Sequence, residues 1–592
     1  MSNESDGVLS KVVNFLLGPY EWHQLPVTLG LAKLVPIRDA LRQQNLFDLE
    51  DACPAHSEPE SPSKEQVQFR TFDGTYNDLE CPHMGAADTS FGRNFSFAHI
   101  EPETDTLMEP SPRDVSRKLL ARDRFKPVKI LNLLAASWIQ FQVHDWFAHK
   151  KSDDERYEIP LEEGDPWPHG PMQIEATKAA TSGNGAPPSY ENRNTHWWDG
   201  SQIYGSSAET AEKLRTGTDG KMKTGEEAVL PLDVEGVVLT GFHDNWWAGL
   251  SMLHALFVSE HNAICDRLKL DHSDWSDERL FQQARLINAA LMAKIHTVEW
   301  TPAILPHPTV SKALHINWDG VAGEDLQTLL PFIDSNEVLG GIPRSPTDHH
   351  GTPYSLTEEF VGVYRMHPLL PDTYQFHAAD TGEPIGEHTL TEVSLGNTRE
   401  IMEQYDLRDL FYSFGISHPG ALRLHNYPEH LRSLTRPDGT TIDLAAIDVL
   451  RDRERGLPRY NKFRELLRMD RVTSFEELTG DADTAAELRE VYDDVDQVDL
   501  MVGLFAEPLL EGFGFSETAF RIFIVMASRR LKSDRFFTSD FTEERYTSAG
   551  LNWIQNNTML TVLQRHLPEL KPALRDVDNA FQPWSTVGSG AE

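Results

Sequence analysis

Apolar residues recur at intervals of three and four over seven stretches, 127–146, 246–268, 277–300, 357–366, 445–455, 461–468 and 517–531, and each predicts an α-helix. Alternation at every second position, the mark of a half-buried strand, is scarce. Segments of different composition separate the helical patterns. Residues 54–66, rich in Pro, Ser and Glu, read as a linker or exposed loop. Residues 158–194 carry many Pro and Gly and predict a long irregular segment, while 437–441 predict a turn. No internal repeat is visible. The expected architecture is one large, mostly α-helical domain with little strand over 67–592, preceded by an N-terminal helical extension and linker over 1–66.

No run approaches the ~20 apolar residues of a membrane span. The closest, 25–37, is interrupted by Pro26, Lys33 and Pro36. Residues 25–43 therefore read as a packing helix, with amphipathic contact to a membrane surface as the alternative. The acidic start, Met1 to Gly7, lacks the basic region and apolar core of a secretory signal. Composition narrows the classes further. With 592 residues, 39% of them hydrophobic, the chain can bury a large core. A formal charge of −38 repels phosphates and argues against a nucleic-acid partner. Cys53, Cys81 and Cys265 have no paired spacing, so neither a disulfide framework nor a zinc site is expected, which suits a reducing, cytoplasmic setting. Oligomeric state is not legible, and a monomer is the default.

The candidate chemistry begins with Tyr364 and His367. In a helical run, residues three apart share a face, so an iron ligated by His367 would lie about one turn from the Tyr364 phenol. That arrangement suits formation of a tyrosyl radical. His144 sits in an apolar aromatic helix with Gln140 one turn earlier on its face, a pair able to address a small polar ligand. Asp145 is rotated about 100° away from that face. In the extended run Thr195 to Ser201, alternate residues point the same way. Thr195, Asp199 and Ser201, with the Trp197 carbonyl and Asp145, would form an oxygen-rich shell for Ca²⁺. A polar loop capping the helix is the equal alternative.

Together these segments resemble the animal-type haem peroxidase superfamily, which includes cyclooxygenases and fatty-acid dioxygenases. Gln140 to Asp145 is similar to its distal haem helix, Thr195 to Ser206 to its calcium loop, and His367 to its proximal iron ligand. The run Arg453 to Arg464 resembles the segment that supplies an asparagine to the proximal histidine, which puts Asn461 in that role and Arg464 near a haem propionate. Tyr364-Arg365-Met366-His367, Ala293 to Thr301, Met526 to Thr538 and Tyr546 to Leu567 resemble the plant-type fatty-acid α-dioxygenases. The likeness runs from about Trp22 to about residue 570.

The resemblance implies a haem b bound without ester links, because His243, Trp246 and Trp247 stand where mammalian-type peroxidases keep an arginine and an ester-forming carboxylate. It also implies a hydroperoxide activator, a Tyr364 radical that removes hydrogen from C2 of a fatty acid, and O₂ addition to give a 2-hydroperoxy acid. His296, Thr301 and Arg535 are implied as holders of the substrate carboxylate, with Arg529 or Arg530 as alternatives for the cation. The competing functions are a haem peroxidase of small donors, a mid-chain fatty-acid dioxygenase of the cyclooxygenase or linoleate diol synthase type, and a non-catalytic haem or lipid carrier.

Overall fold

A computed structural model of the protein describes residues 20–47, 61–100, 102–168, 170–180, 188–224, 245–321, 336–436 and 439–588. The expected positions Cys53 and His243, and most of the 54–66 linker, lie outside these residues. The principal helices are α1 (Val27–Gln44), α2 (Leu133–Trp146), α3 (Ala248–Asp271), α4 (Asp277–Ile295), α5 (Pro308–Asp319), α6 (Glu358–Val363), α7 (Leu407–Ile416), α8 (Leu444–Glu454), α9 (Glu517–Lys532), α10 (Glu543–Asn556) and α11 (Met559–His566). All of α2 except Gln140 and Val143 is buried, polar residues included, so it runs through the core rather than along its edge. Helix α3 packs on α2 and on α4; α4 packs in turn on α10.

Local chemistry sets the boundaries. Ser276 caps α4 by accepting the Arg279 N–H, and Asp277 and Glu278 occupy its first turn, where carboxylates complement the helix dipole. Ser516 caps α9 in the same way through Ala519, and Arg529, Arg530 and Lys532 fall in its last turn. At the other end of α4 two side chains reach neighbouring helix termini. Lys294 Nζ donates to the Ile554, Gln555 and Asn557 carbonyls at the end of α10, while the Glu299 carboxylate accepts the Met559 N–H at the start of α11.

The described strands form four two-stranded antiparallel pairs: β1 (Thr89–Ser90) with β4 (Glu191–Asn192), β2 (Lys151–Ile159) with β3 (Met172–Thr177), β5 (Thr373–His377) with β6 (Pro384–Thr389), and β7 (Leu434–Thr435) with β8 (Thr441–Ile442). The hairpin β2–β3 corrects the irregular reading of 158–194. Its outer strand, Lys-Ser-Asp-Asp-Glu-Arg-Tyr-Glu-Ile, is polar and exposed along most of its length, so hydrophobic alternation is absent although the ladder forms. Of the expected 437–441 turn, residues 437 and 438 lie outside the described residues; the flanking strands β7 and β8 pair with each other.

Trp22, Leu34 and Leu41 belong to the same buried cluster as the later helices, and α1 packs on α5 and α9. Its apolar residues face protein, and among the described residues no helix is long and apolar enough to cross a membrane. The cysteines depart from expectation: Cys81 takes part in a disulfide whose other half lies outside the described residues, and Cys265 is a buried free thiol.

Candidate active site

Helix α2 delivers Gln140, His144 and Asp145 from one rigid element. Trp247 Nε1 donates to Gln140 Oε1 at 2.8 Å. Because an indole N–H only donates, this fixes the amide and directs the Gln140 NH₂ away from Trp247. His144 is buried, its ring set edge-on to Trp246. The loop 192–201 is fastened to the last carbonyls of α2, which have no partner within the helix. Asn194 Nδ2 donates to the His144 carbonyl and Asn192 Nδ2 to that of Trp146.

That fastening brings the expected oxygen-rich cluster together. Ser201 donates to Asp145 Oδ1 through its N–H at 2.6 Å and its hydroxyl at 2.8 Å, and Thr195 Oγ1 donates to Asp199 Oδ2 at 3.1 Å. Gly200, at φ 80°, allows the sharp reversal between Asp199 and Ser201. Both carboxylates are buried, and Asp145 Oδ2 has no hydrogen-bond partner among the described residues. Burial, with Asp199 alongside, pushes the Asp145 carboxyl up to about 8. Burial also raises Asp199, against the opposing charge of Arg285 at 3.6 Å. Two buried acids with hydroxyls around them fit a bound hard cation, which would relieve their repulsion.

Tyr364 and His367 do not share a helix face, which corrects the helical reading of 357–366. Helix α6 ends at Val363, and Tyr364 to Met366 form a turn. His367 then opens a short 3₁₀ turn whose second residue is Pro368. Pro368 has no N–H to give to the Tyr364 carbonyl four residues back, and its ring would clash there, so the α-helix cannot continue through Tyr364 to His367. The consequence is a separation of roles. Tyr364 lines a buried cavity, whereas His367 leans on α8, where its Nδ1 lies 2.7 Å from Asp448 Oδ2. Arg365 and Tyr427 also donate to the Asp448 carboxylate. Burial alone would raise that carboxyl, but His367 and Arg365 outweigh it and hold it below its usual range.

The partner of His367 is therefore Asp448 and not Asn461. The Asn461 amide instead donates to the Val472 carbonyl and to Asp496. Arg464 is likewise engaged elsewhere, with the Asp470 carbonyl, Tyr460 and Thr518. With Nδ1 held, His367 keeps Nε2 for an iron, and its side chain is 28% exposed in an otherwise buried stretch. A histidine anchored in this way fits an axial haem ligand.

The cavity beside Tyr364 has an empty volume of about 950 Å³, counted out to its open mouth. Leu31, Leu34, Val35 and Arg38 of α1 form one wall, α5 another, and the apolar face of α9 a third. Its polar groups include Tyr364, His296, Thr301 and Arg530. Trp146, the last residue of α2, joins them. Its ring lies 5.5 Å from Tyr364, 5.3 Å from His296 and 4.1 Å from the Arg530 guanidinium, which Trp198 also approaches at 4.6 Å.

Between Ile295 and Thr301 the chain widens into a π turn (His296–Trp300), and Thr301 gives both its backbone N–H and its hydroxyl to the His296 carbonyl. Such a bulge re-aims side chains and often marks functional sites. Burial and the nearby Arg530 charge hold His296 well below its usual value, so it is neutral, and burial raises the Tyr364 phenol.

Arg535 is not part of this cavity. It binds the Val67, Gln66 and Tyr76 carbonyls and Asp540. Arg529 is held by the Thr352 and Pro353 carbonyls. Two arginines line the cavity: Arg38 on α1, whose Nε donates to Asp39 at 3.0 Å, and Arg530 on α9, 2% exposed, with neither Nε nor Nη2 hydrogen-bonded among the described residues. Helical spacing was the signal for it. Phe520, Phe523, Ile524, Ala527 and Leu531 make one apolar stripe, and Arg530 falls three residues after Ala527 along it, whereas Arg535 lies beyond the helix end.

Comparison with known proteins agrees with this geometry. The animal haem peroxidase family profile matches residues 69–578. The chain is 41% identical to α-dioxygenase PIOX of Oryza sativa subsp. japonica, over 95% of this chain and 93% of that one. It is 39% identical to α-dioxygenase 1 of Arabidopsis thaliana, over 95% and 90%. The crystal structure of the Oryza sativa fatty acid α-dioxygenase superposes with a TM-score of 0.90 at 38% identity, covering 99% of this chain and 97% of that one. A tyrosine-to-phenylalanine form of that enzyme with palmitic acid gives 0.89, covering 99% and 98%. A buried tyrosine beside a buried arginine, an anchored histidine and these full-length likenesses lead to one conclusion: the chain belongs to the animal haem peroxidase family and, within it, to the α-dioxygenases.

Proposed function

We propose that the protein adds O₂ to C2 of a fatty acid, giving a 2-hydroperoxy acid, and that Tyr364 carries the radical. The observation behind this reading is the cationic end of an apolar cavity set against a buried phenol. Arg530 offers Nε and Nη2 to a carboxylate in a bidentate fork. Neutral His296 adds a ring N–H. Thr301 can redirect its hydroxyl proton to the substrate, because its backbone N–H already serves the His296 carbonyl. With C1 anchored there, the neighbouring carbon is the one within reach of the phenol, and the acyl tail extends along α1, α5 and α9.

His367 Nε2 would hold a haem b without a covalent link, with His144 and Gln140 of α2 serving its activation by a hydroperoxide, and the group would supply a one-electron oxidant for Tyr364. The Tyr364 phenoxyl takes a hydrogen atom from C2. O₂ joins the carbon radical, and the peroxyl takes a hydrogen atom back from Tyr364, so acid plus O₂ becomes the hydroperoxy acid and the phenoxyl is restored. Asp145, Asp199, Thr195, Ser201 and the Trp197 carbonyl would hold a Ca²⁺, which would fix the end of α2 and do no chemistry. Saturated acids suffice as substrates, since C2 needs no double bond.

Oxygen uptake with palmitate tests the proposal. Tyr364→Phe should retain haem and lose uptake; uptake equal to the unaltered enzyme, or oxygen found mid-chain in the product, would sink it.

A further inference from the structure

Trp138, eight residues before Trp146 on α2, is fully buried. Its Nε1 lies 3.2 Å from His296 Nδ1. An indole nitrogen has a proton and no lone pair to offer, so His296 Nδ1 must be the acceptor in this contact. The one proton of the neutral imidazole then resides on Nε2, which makes no hydrogen bond among the described residues and belongs to a side chain lining the cavity. The ring itself is fixed by stacking on Trp300 at 4.6 Å and 16°, with Trp146 and Trp198 edge-on.

We propose that Trp138 is a positioning residue for fatty-acid binding, its indole N–H holding His296 as the Nε2–H tautomer and thereby presenting a proton donor, never a lone pair, to the substrate carboxylate. This rests on the reading of His296 and Arg530 as the carboxylate site. A second consequence concerns charge. Protonating Nδ1 would set an N–H against the indole N–H, so the contact also keeps His296 from becoming an imidazolium. The groups facing the ring are Trp138, Trp146, Trp198, Trp300 and the guanidinium of Arg530, with the Tyr364 phenol across the cavity. Arg530 is the charged one among them, and it opposes protonation as burial does. One carboxylate therefore meets one positive charge at every pH near neutrality, and substrate affinity should not vary with His296 protonation.

The test measures palmitate binding by calorimetry to the Tyr364→Phe holoenzyme, which does not turn over, at pH 6 to 8. Trp138→Phe should weaken binding about 3- to 10-fold, the worth of one hydrogen bond. In a His296→Leu background, Trp138→Phe should have no further effect. Equal losses with and without His296 would mean that Trp138 merely packs and would overturn the proposal. A pH-dependent affinity in the parent with Trp138 intact would overturn it independently of whether the variant folds. His296→Leu binding palmitate as tightly as its parent would instead refute the carboxylate site.

Discussion

Exchanging Arg530 for methionine separates two arginines that lie five residues apart. Arg530 is buried with Nε and Nη2 unpaired among the described residues. Two charge-assisted bonds to a carboxylate contribute about 1.5–3 kcal/mol each. Allowing for imperfect geometry, the loss on Arg530→Met should be about 3–5 kcal/mol, or roughly a hundred- to a few-thousand-fold in Kd. The ligand-free protein should respond differently. The variant forfeits a cation–π contact with Trp146 at 4.1 Å, about 1–2 kcal/mol, and is relieved of a buried charge that makes no direct ion pair among the described residues. Those effects oppose each other, so the melting temperature should change little. Arg535→Met reverses both results. It removes a guanidinium bound to three carbonyls and Asp540, which should destabilise the fold by roughly 3–5 kcal/mol and leave palmitate affinity within about threefold. Titration calorimetry and scanning calorimetry on the two variants read both quantities. Weaker palmitate binding in Arg535→Met than in Arg530→Met would refute the assignment.

Three further outcomes follow from other contacts. Burial pushes the Glu299 carboxyl from 4.5 up to about 7, so the protonated form contributes stability below about pH 4.5 that is lost as pH rises through 7, about 3 kcal/mol in all. Glu299→Gln should therefore gain on the parent in melts from pH 5 to 8, and a constant difference would contradict this. Asp448→Ala should lower haem affinity about 10- to 100-fold, measured by transfer to apomyoglobin, with Asn461→Ala close to the parent; the opposite order would restore Asn461. Chelation of Ca²⁺ should lower the parent's melting temperature but not that of Asp199→Ala, and equal shifts would remove the cation from the Asp145–Asp199 cluster.

Features governed by local spacing were legible in the sequence, and features governed by chain reversal were not. Helix α2 reads as a helix because apolar residues recur at intervals of three and four up to Trp146, and the polar alternation from Thr195 to Ser201 indicated the oxygen cluster that the loop folds onto it. The Tyr364–His367 relation failed because helical spacing says nothing once Pro368 interrupts the helix. Asp448 was missed although it stands among Ile447, Val449 and Leu450 on a buried helix, where a lone carboxylate needs a charged partner. Nothing in the spacing of Trp138, Trp146 and Trp198 reveals that their rings meet His296 and Arg530 in space. Asn461 and Arg464 were placed by likeness of a segment, which locates the neighbourhood and leaves open which member reaches the metal's ligand.

Helix α2 also limits how such an enzyme can diversify. Trp138, Gln140, His144, Asp145 and Trp146 span nine consecutive positions, about 12 Å of axial rise at 1.5 Å per residue. A single insertion or deletion within them would turn everything beyond it by 100° and displace several functional groups at once. New substrate lengths are therefore more accessible through α1 and α5, whose side chains bound the acyl cavity and hold none of the reacting groups. Laboratory evolution toward shorter or longer acids should accumulate its changes at Leu31, Leu34, Val35 and Leu314, and leave the α2 register untouched.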